Sequence, residues 1–285
     1  MKIGFIGSGV MGKSMALNLI KAGYQLNIYT RTKSKADELI KEGAAWMDSA
    51  GQVAAASDVI ITIVGYPKDV EEVYLGENGI IKNAKAGSVV IDMTTSSPLL
   101  AQRIYEQARA KNIFALDAPV SGGDVGAREA RLSIMVGGDA EAFERVQPVF
   151  AAMGKNIVLQ GAAGAGQHTK MCNQIAIASN MIGVCEAMAY AQKAGLDPNT
   201  VLQSIASGAA GSWSLSNLAP RMIAGDFAPG FYVKHFIKDM TIALDTAQEM
   251  GLMTPGLELA KTLYEKLAAE GAEENGTQVL YKLFI

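Results

Sequence analysis

The stretch Lys2-Ile-Gly-Phe-Ile-Gly7-Ser-Gly9-Val-Met-Gly12 decides the reading of this chain. Lys2 to Gly7 is a short apolar run of the kind that forms a buried strand, and the glycine turn follows it directly. Behind Gly12, Met15, Leu19 and Ile20 recur at helical spacing as far as Gly23. Strand, glycine turn and helix stand in the order that a dinucleotide-binding βαβ unit needs. There Gly7 permits the tight turn, Gly9 lets the backbone approach a pyrophosphate, and Gly12 lets the helix pack on its strand. Amides at the helix start then hold the phosphates, so Gly7, Ser8, Gly9, Val10, Met11 and Gly12 are the expected phosphate-binding turn.

Outward from this turn the first half alternates strands and helices. Gln25 to Thr30, Asp58 to Val64, Ser88 to Met93, Ile113 to Ala118, Leu132 to Gly137 and Asn156 to Gln160 read as strands, many of them continuous apolar runs suited to a parallel sheet covered on both faces. Ser34 to Glu42, Ser97 to Lys111 and Ala140 to Met153 read as helices between them. The glycine run Gly161-Ala-Ala-Gly164-Ala-Gly166 ends this pattern, and nothing breaks a helix from Gln167 to Ala194. Further helices are predicted over Pro198 to Ser207, Leu215 to Ala224, Ile237 to Met250 and Pro255 to Glu270. The fold class is α/β: an N-terminal Rossmann-type doubly wound sheet over residues 1–162 and an all-helical C-terminal domain over 163–285, joined by a long interdomain helix.

The chain has 285 residues, beyond the usual size of a single core, which agrees with two domains. Its 25 basic and 28 acidic residues give net charge -3 with no basic stripe, which argues against nucleic acid as a partner. The sequence enters a strand at once, with no charged region leading to an apolar run and cleavage site, so cytoplasm is the expected location. The apolar stretch Met171 to Ala194 is interrupted by Asn173, Gln174, Asn180 and Glu186 and reads as a buried helix, not a membrane span. Cys172 and Cys185 lie roughly 20 Å apart along it, too far for a disulfide, and are expected to be inert core thiols. With two histidines and no carboxylate cluster beside them, no metal site is expected.

Three further segments suggest chemistry. Lys170 stands three residues before Asn173 and four before Gln174, on one face of the helix, so a lone ammonium has two amides beside it in an apolar stretch. Desolvation lowers a lysine's proton affinity and makes it a usable general acid or base. The segment Asp117-Ala-Pro-Val-Ser121-Gly122-Gly123 leaves a predicted strand at the carboxyl edge of the sheet, where open α/β folds place ligands, and offers a hydroxyl and bare amides to a carboxylate. The second strand ends Tyr29-Thr30-Arg31-Thr32-Lys33-Ser34-Lys35, with no acidic residue before Asp37. NAD-specific domains carry an acid there, roughly 20 positions after the glycine turn, for the ribose hydroxyl. Arg31, Thr32 and Lys35 instead suit a 2′-phosphate, so NADP is the preferred cofactor and NAD the secondary one.

Together these residues resemble the β-hydroxyacid dehydrogenase family, which includes 3-hydroxyisobutyrate dehydrogenases, tartronate semialdehyde reductases and glyoxylate/succinic semialdehyde reductases. The resemblance covers nearly the whole chain: Gly4 to Gly12, then Asp117 to Gly123, then Gly164-Ala-Gly166 leading to Lys170 and Asn173, then Lys238-Asp239-Met240 before Ala243-Leu244-Asp245. It implies that Lys170 is the catalytic acid/base, that Ser121, Gly122 and Gly123 bind the substrate carboxylate, and that Asn173 or Gln174 orients the reacting group. It further implies Thr95 near the nicotinamide, Val64, Gly65 and Tyr66 among the cofactor contacts, and Lys238 closing over the site, braced by Asp239. The substrate lining is expected to include Phe231, with Trp213 and Tyr232. The related 6-phosphogluconate dehydrogenases carry a histidine-asparagine pair after the lysine, where this chain has Asn173-Gln174, and imine reductases usually replace the lysine.

The activity so implied is hydride exchange between NADP(H) and a small carboxylate-bearing aldehyde or hydroxy acid, in a homodimer or homotetramer. The contrasting reading is a non-enzymatic nucleotide-binding sensor or assembly module, which has no need of Lys170, Ser121 and Lys238 together.

Overall fold

The computed structural model describes residues 1–285. It divides into two compact units, Met1–Lys170 and Met171–Ile285. The division falls inside one continuous helix, Ala165–Lys193.

The first unit is built on a nine-stranded sheet. Its strands are β1 (Lys2–Ile6), β2 (Gln25–Tyr29), β3 (Ala45–Trp46), β4 (Val59–Thr62), β5 (Val89–Asp92), β6 (Phe114–Asp117), β7 (Val120–Ser121), β8 (Leu132–Gly138) and β9 (Gly154–Gly161). The spatial order is β3-β2-β1-β4-β5-β6-β8-β7, with β9 paired to β8. β1 has β2 on one side and β4 on the other, both parallel to it, so the strand order reverses at β1. The glycine turn leaves β1 at this switch point, where an open α/β sheet forms its ligand crevice.

β4 and β5 are buried at every position. Alternate residues feed two cores: Val59 and Ile61 pack with Ile3, Phe5, Met15 and Leu19, whereas Ile60 packs with Ile6, Val53, Tyr74 and Val90. Burial on both faces explains why these strands read as continuous apolar runs.

The sheet is not wholly parallel as its apolar runs suggested. β8 runs antiparallel to both β6 and β7, and only β9 is parallel to β8. A buried antiparallel strand carries the same apolar run as a parallel one, so composition does not report direction. Two further differences are local. The helix expected over Ser34 to Glu42 is a 3₁₀ turn, Lys33–Ala36, followed by an α-helix, Asp37–Lys41. That expected over Leu215 to Ala224 is two short helices, Trp213–Asn217 and Ala219–Ile223. Pro220 lacks the amide a continuous helix needs, and its ring clashes with the preceding turn.

The second unit is helical, with Phe236, Tyr264 and Tyr281 buried at its centre. The Tyr264 hydroxyl donates to the Thr277 carbonyl at 2.7 Å, tying the C-terminal 3₁₀ segment to the helix Pro255–Ala269. No helix is long and apolar enough to cross a membrane. Cys185 is buried and its thiol pushed up by desolvation, but Cys172 is exposed, so only one cysteine is the core thiol expected of both.

The long helix starts where β6 ends. Asp117 Oδ1 accepts the Gly164 amide at 2.7 Å and Oδ2 accepts the Gln167 amide at 2.8 Å, which satisfies donors that a helix start leaves unpaired. A Cβ on Gly166 would sit 2.4 Å from the Met135 carbonyl oxygen and 2.6 Å from that of Asp117. Backbone cannot retreat as a flexible side chain can. Gly166→Ala is therefore expected to destabilise the protein by about 1–3 kcal/mol, the usual cost of overpacking, measured by urea denaturation. An unchanged midpoint would show that the helix start is free to shift.

Candidate active site

The carboxyl ends of the parallel strands carry a continuous polar layer. After β1, Gly7 has φ +102°, and a Cβ there would sit 2.1 Å from the Ile63 carbonyl oxygen. At Gly12 a Cβ would meet the Gly7 carbonyl oxygen at 2.0 Å. These two glycines are demanded by the fold itself. Gly9 differs, for a Cβ there meets nothing within 4 Å, so its bare backbone is of use only to something arriving from outside. Ser8 is 4% exposed and its hydroxyl finds no partner in the protein. An orphaned buried hydroxyl at a helix start, beside a bare and exposed Gly9, fits a phosphate. Met11 is half-buried behind it and Val10 exposed.

Arg31, just past β2, is 75% exposed along its side chain, yet its guanidinium is held 3.0 Å from Asp69 Oδ1. Asp69 is buried, and its Oδ2 accepts the Tyr66 amide at 3.1 Å at the start of the helix Pro67–Leu75. Residues 64–66 are thereby fixed at both ends, since the Val64 amide donates to Thr94 Oγ1 at 2.9 Å. Thr32 and Lys35 are exposed on the same turn as Arg31.

The β5 end bears Asp92 and the loop 93–97. Asp92 Oδ1 accepts from Thr62 Oγ1 and from the Thr94 amide, both at 3.0 Å. Burial pushes its carboxyl up to about 6, the Asp117 carboxylate on the adjacent strand adds to the rise, and the bonds from Thr94 and Thr62 oppose it. Burial raises Asp117 as well, against the pull of the amides it accepts. Thr95 is half-buried between the buried Thr94 and Ser96.

Gln167 locks this loop to the long helix. Fully buried, it donates through Nε2 to the Thr94 carbonyl at 2.7 Å and accepts the Ser96 amide on Oε1 at 2.9 Å. Lys170 follows one helical turn later and is itself only 6% exposed. Neither Gln167, Asp92 nor Asp69 was singled out in the sequence, because each acts on residues 30 or more positions distant or across a strand end. The one available hint was a glutamine in the first turn of the long helix, directly behind Gly164 and Gly166.

The turn after β7 places Ser121 half-buried, with Gly122 at φ +134° and Gly123 at φ +63°. Any side chain at position 123 would strain the backbone, so a substitution there does not isolate ligand binding.

In the second unit, Gln174 is fully buried and both its polar ends are engaged: Nε2 donates to Asp239 Oδ2 at 2.6 Å, and Oε1 accepts from Asn173 Nδ2 at 2.7 Å. Of the two amides considered for substrate, Gln174 thus serves inside the protein. Asp239 Oδ1 lies 2.8 Å from the Lys238 ammonium. Phe231 packs its ring 5.5 Å from that of Phe236 and belongs to the edge of the helical core. Tyr232 is engaged by His235 and Lys234, and Trp213 is 64% exposed.

The family model described as the NAD-binding domain of 6-phosphogluconate dehydrogenase matches residues 2–161. That described as NAD-binding of NADP-dependent 3-hydroxyisobutyrate dehydrogenase matches 164–284. The chain belongs to the β-hydroxyacid dehydrogenase family. It is accordingly an NAD(P)-dependent oxidoreductase of hydroxy acids. An uncharacterised oxidoreductase of Bacillus subtilis, YkwC, is 64% identical over 99% of this chain and 98% of its own. The 2-hydroxy-3-oxopropionate reductase of Escherichia coli is 44% identical over 96% of this chain and 94% of its own. Among solved structures, 3-hydroxyisobutyrate dehydrogenase of Mycobacterium tuberculosis with L-serine superposes with a TM-score of 0.91 at 31% identity, over 99% and 98% of the two chains.

Asp92 generates a pH prediction. A carboxyl raised from 3.8 to about 6 on folding disfavours the native state once ionised, by about 3 kcal/mol. That penalty is absent below pH 4, grows between pH 4 and 6 and is constant above. Asn in its place keeps Oδ1 as acceptor and carries no charge. Asp92→Asn is therefore expected to raise stability at pH 8 relative to pH 4, in a comparison of urea midpoints against the parent. Parallel pH profiles would show that Asp92 stays unperturbed.

Proposed function

We propose that this protein is an NADP-preferring oxidoreductase that interconverts a short 3-hydroxy acid and its semialdehyde, with Lys170 as general acid and base. Residues 1–162 then serve as the dinucleotide domain and residues 163–285 as the substrate and oligomerisation domain. The observation that carries the reading is the mounting of Lys170. A buried lysine stands one turn beyond Gln167, whose amide side chain fixes the loop bearing Thr95, while Asp117 fixes the start of the helix. A solvated surface lysine needs no such support, and neither does a sensor that only binds nucleotide.

A bound nicotinamide cofactor supplies or takes up the hydride. Lys170 gives a proton to the aldehyde oxygen during reduction and recovers it from the alcohol during oxidation. Ser121, with the amides of Gly122 and Gly123, holds the substrate carboxylate and so sets the distance from acid group to reacting carbon. Asn173 orients the reacting group one turn beyond Lys170. Lys238, charge-balanced by Asp239 at 2.8 Å, contributes the second cation of the site.

For the cofactor, Ser8 and Gly9 receive the pyrophosphate and Val64, Gly65, Tyr66 and Thr95 flank the nucleotide. Asp69 engages a guanidinium nitrogen of Arg31 and leaves other donors of the fork for a 2′-phosphate, with the Thr32 hydroxyl and the Lys35 ammonium on the same turn.

Two outcomes are expected. Lys170→Ala lowers kcat by about 100-fold or more, in the range of general acid/base groups, while fluorescence titration shows cofactor still bound. A folded variant turning over at near the parent rate would remove Lys170 from the mechanism. Separately, kcat/KM with NADPH exceeds that with NADH by at least about tenfold, near 1.4 kcal/mol, and Arg31→Ala erases most of the difference. Equal efficiency with both cofactors in the parent enzyme would reject selection by Arg31.

A further inference from the structure

An arginine whose side chain is 75% exposed ordinarily has many rotamers open to it, and the freedom is lost when the guanidinium binds an anion. Arg31 has lost it already. Its Nη1 stands 3.0 Å from Asp69 Oδ1, on a carboxylate that is 8% exposed and projects from the third residue of the helix Pro67–Leu75. The carboxylate is itself held. Its Oδ2 accepts the Tyr66 amide at 3.1 Å, and that oxygen lies so near Gly65 that a Cβ there would come within 3.2 Å of it. A guanidinium carries its N–H donors in a planar fork, so a fixed acceptor on one nitrogen sets the plane of the group and leaves its other edge free to bond. With Asp69 buried and Arg31 exposed, the free edge is the one turned to solvent.

We infer that Asp69 is a positioning residue for cofactor choice: acting through Arg31 and not on the cofactor, it makes the guanidinium a ready-formed receptor for a 2′-phosphate. This rests on the proposed preference for NADP, which places that phosphate at Arg31. Two effects of the carboxylate oppose each other. Its charge repels a phosphate, whereas its bond to Arg31 removes beforehand the rotamer freedom that phosphate binding would otherwise have to remove. The bond prevails, because the guanidinium lies between the two anions and neutralises the nearer one. Asp69 also holds the Tyr66 amide, and residues 64–66 flank NAD and NADP alike. The two bonds of Asp69 therefore have separable consequences. Loss of the Tyr66 bond weakens both cofactors together, and loss of the Arg31 bond weakens NADP alone.

The test measures Kd for the oxidised cofactors NADP and NAD, which differ only in the 2′-phosphate, by calorimetry on the intact enzyme without substrate. The parent is expected to bind NADP at least about tenfold more tightly. Asp69→Asn leaves one acceptor oxygen for two donors; the Tyr66 amide, fixed in the backbone, keeps it, and the new NH2 group faces the guanidinium and releases it. The Kd ratio is then expected to fall to within about threefold of one. Arg31→Lys, on an exposed side chain that the fold does not need, keeps the charge but has a single nitrogen in place of a fork, and the same fall is expected. Three results overturn the inference. Asp69→Asn that weakens both cofactors in parallel and preserves the ratio shows a helix cap and nothing more, and a ratio that rises shows that the charge of the carboxylate outweighs its bond. Arg31→Lys with the parent's ratio shows that positive charge alone selects, a result that does not depend on the Asp69 variant folding. A parent that binds both cofactors equally instead defeats the NADP preference on which this rests.

Discussion

The Asp117 carboxylate at the end of β6 is the constraint on which the first unit's functional edge depends. A helix of 29 residues begins with unpaired amides, and here two of them point at one carboxylate whose two oxygens take one each. The charge is favourable at a helix N-terminus, while its burial is costly, and the two amide bonds offset part of that cost. The seat is tight. Gly137 and Gly166 leave no space for a Cβ beside the carboxylate, which fixes the helix in height and in rotation. Since Gln167 is both a backbone donor to Asp117 and a side-chain clamp on residues 94 and 96, the same anchor fixes the loop at the end of β5. Lys170 inherits its position from that pair.

Much of this was legible in the sequence, and the rest was hidden for definite reasons. The βαβ start was readable because it needs three glycines at fixed spacing behind an apolar run. β4 and β5 were readable because both their faces are buried. Lys170 stood out because an ammonium in an apolar helix is costly to bury. The two-residue strands β3 and β7 carry too few side chains to show a period, and β8 gives no sign of its reversed direction. Asp69 lies 38 positions from Arg31 and Asp117 lies 50 from Gln167, so their pairings exist only once the sheet has formed. Cys172 shows the converse limit. Cysteine is among the residue types most often buried, yet this one falls on the exposed side of its helix, and residue type alone does not say which face a position takes.

Two buried carboxylates at the ends of adjacent strands, Asp92 and Asp117, are in direct register. Burial raises the proton affinity of both, and at Asp92 the Asp117 charge adds to the rise. They differ in compensation. Asp117 receives backbone amides on both oxygens, whereas the bonds to Asp92 converge on Oδ1. With a backbone amide on each oxygen, Asp117 is the better compensated anion of the two, and it is the one that holds the helix start. The unequal bonding keeps the anchoring charge where the helix requires it.

The long helix is thus specified twice, by different means in each unit. In the first, a carboxylate facing backbone amides sets where the helix begins, and with it the station of Lys170. In the second, a carboxylate facing a side-chain amide sets no position along the axis but a direction of polarity, carried through Gln174 to Asn173. The first device needs glycines, because amides must approach the carboxylate without Cβ atoms between them. The second needs an amide long enough to reach an acid 65 residues away while its other end still meets its chain neighbour, which a glutamine at position 174 spans.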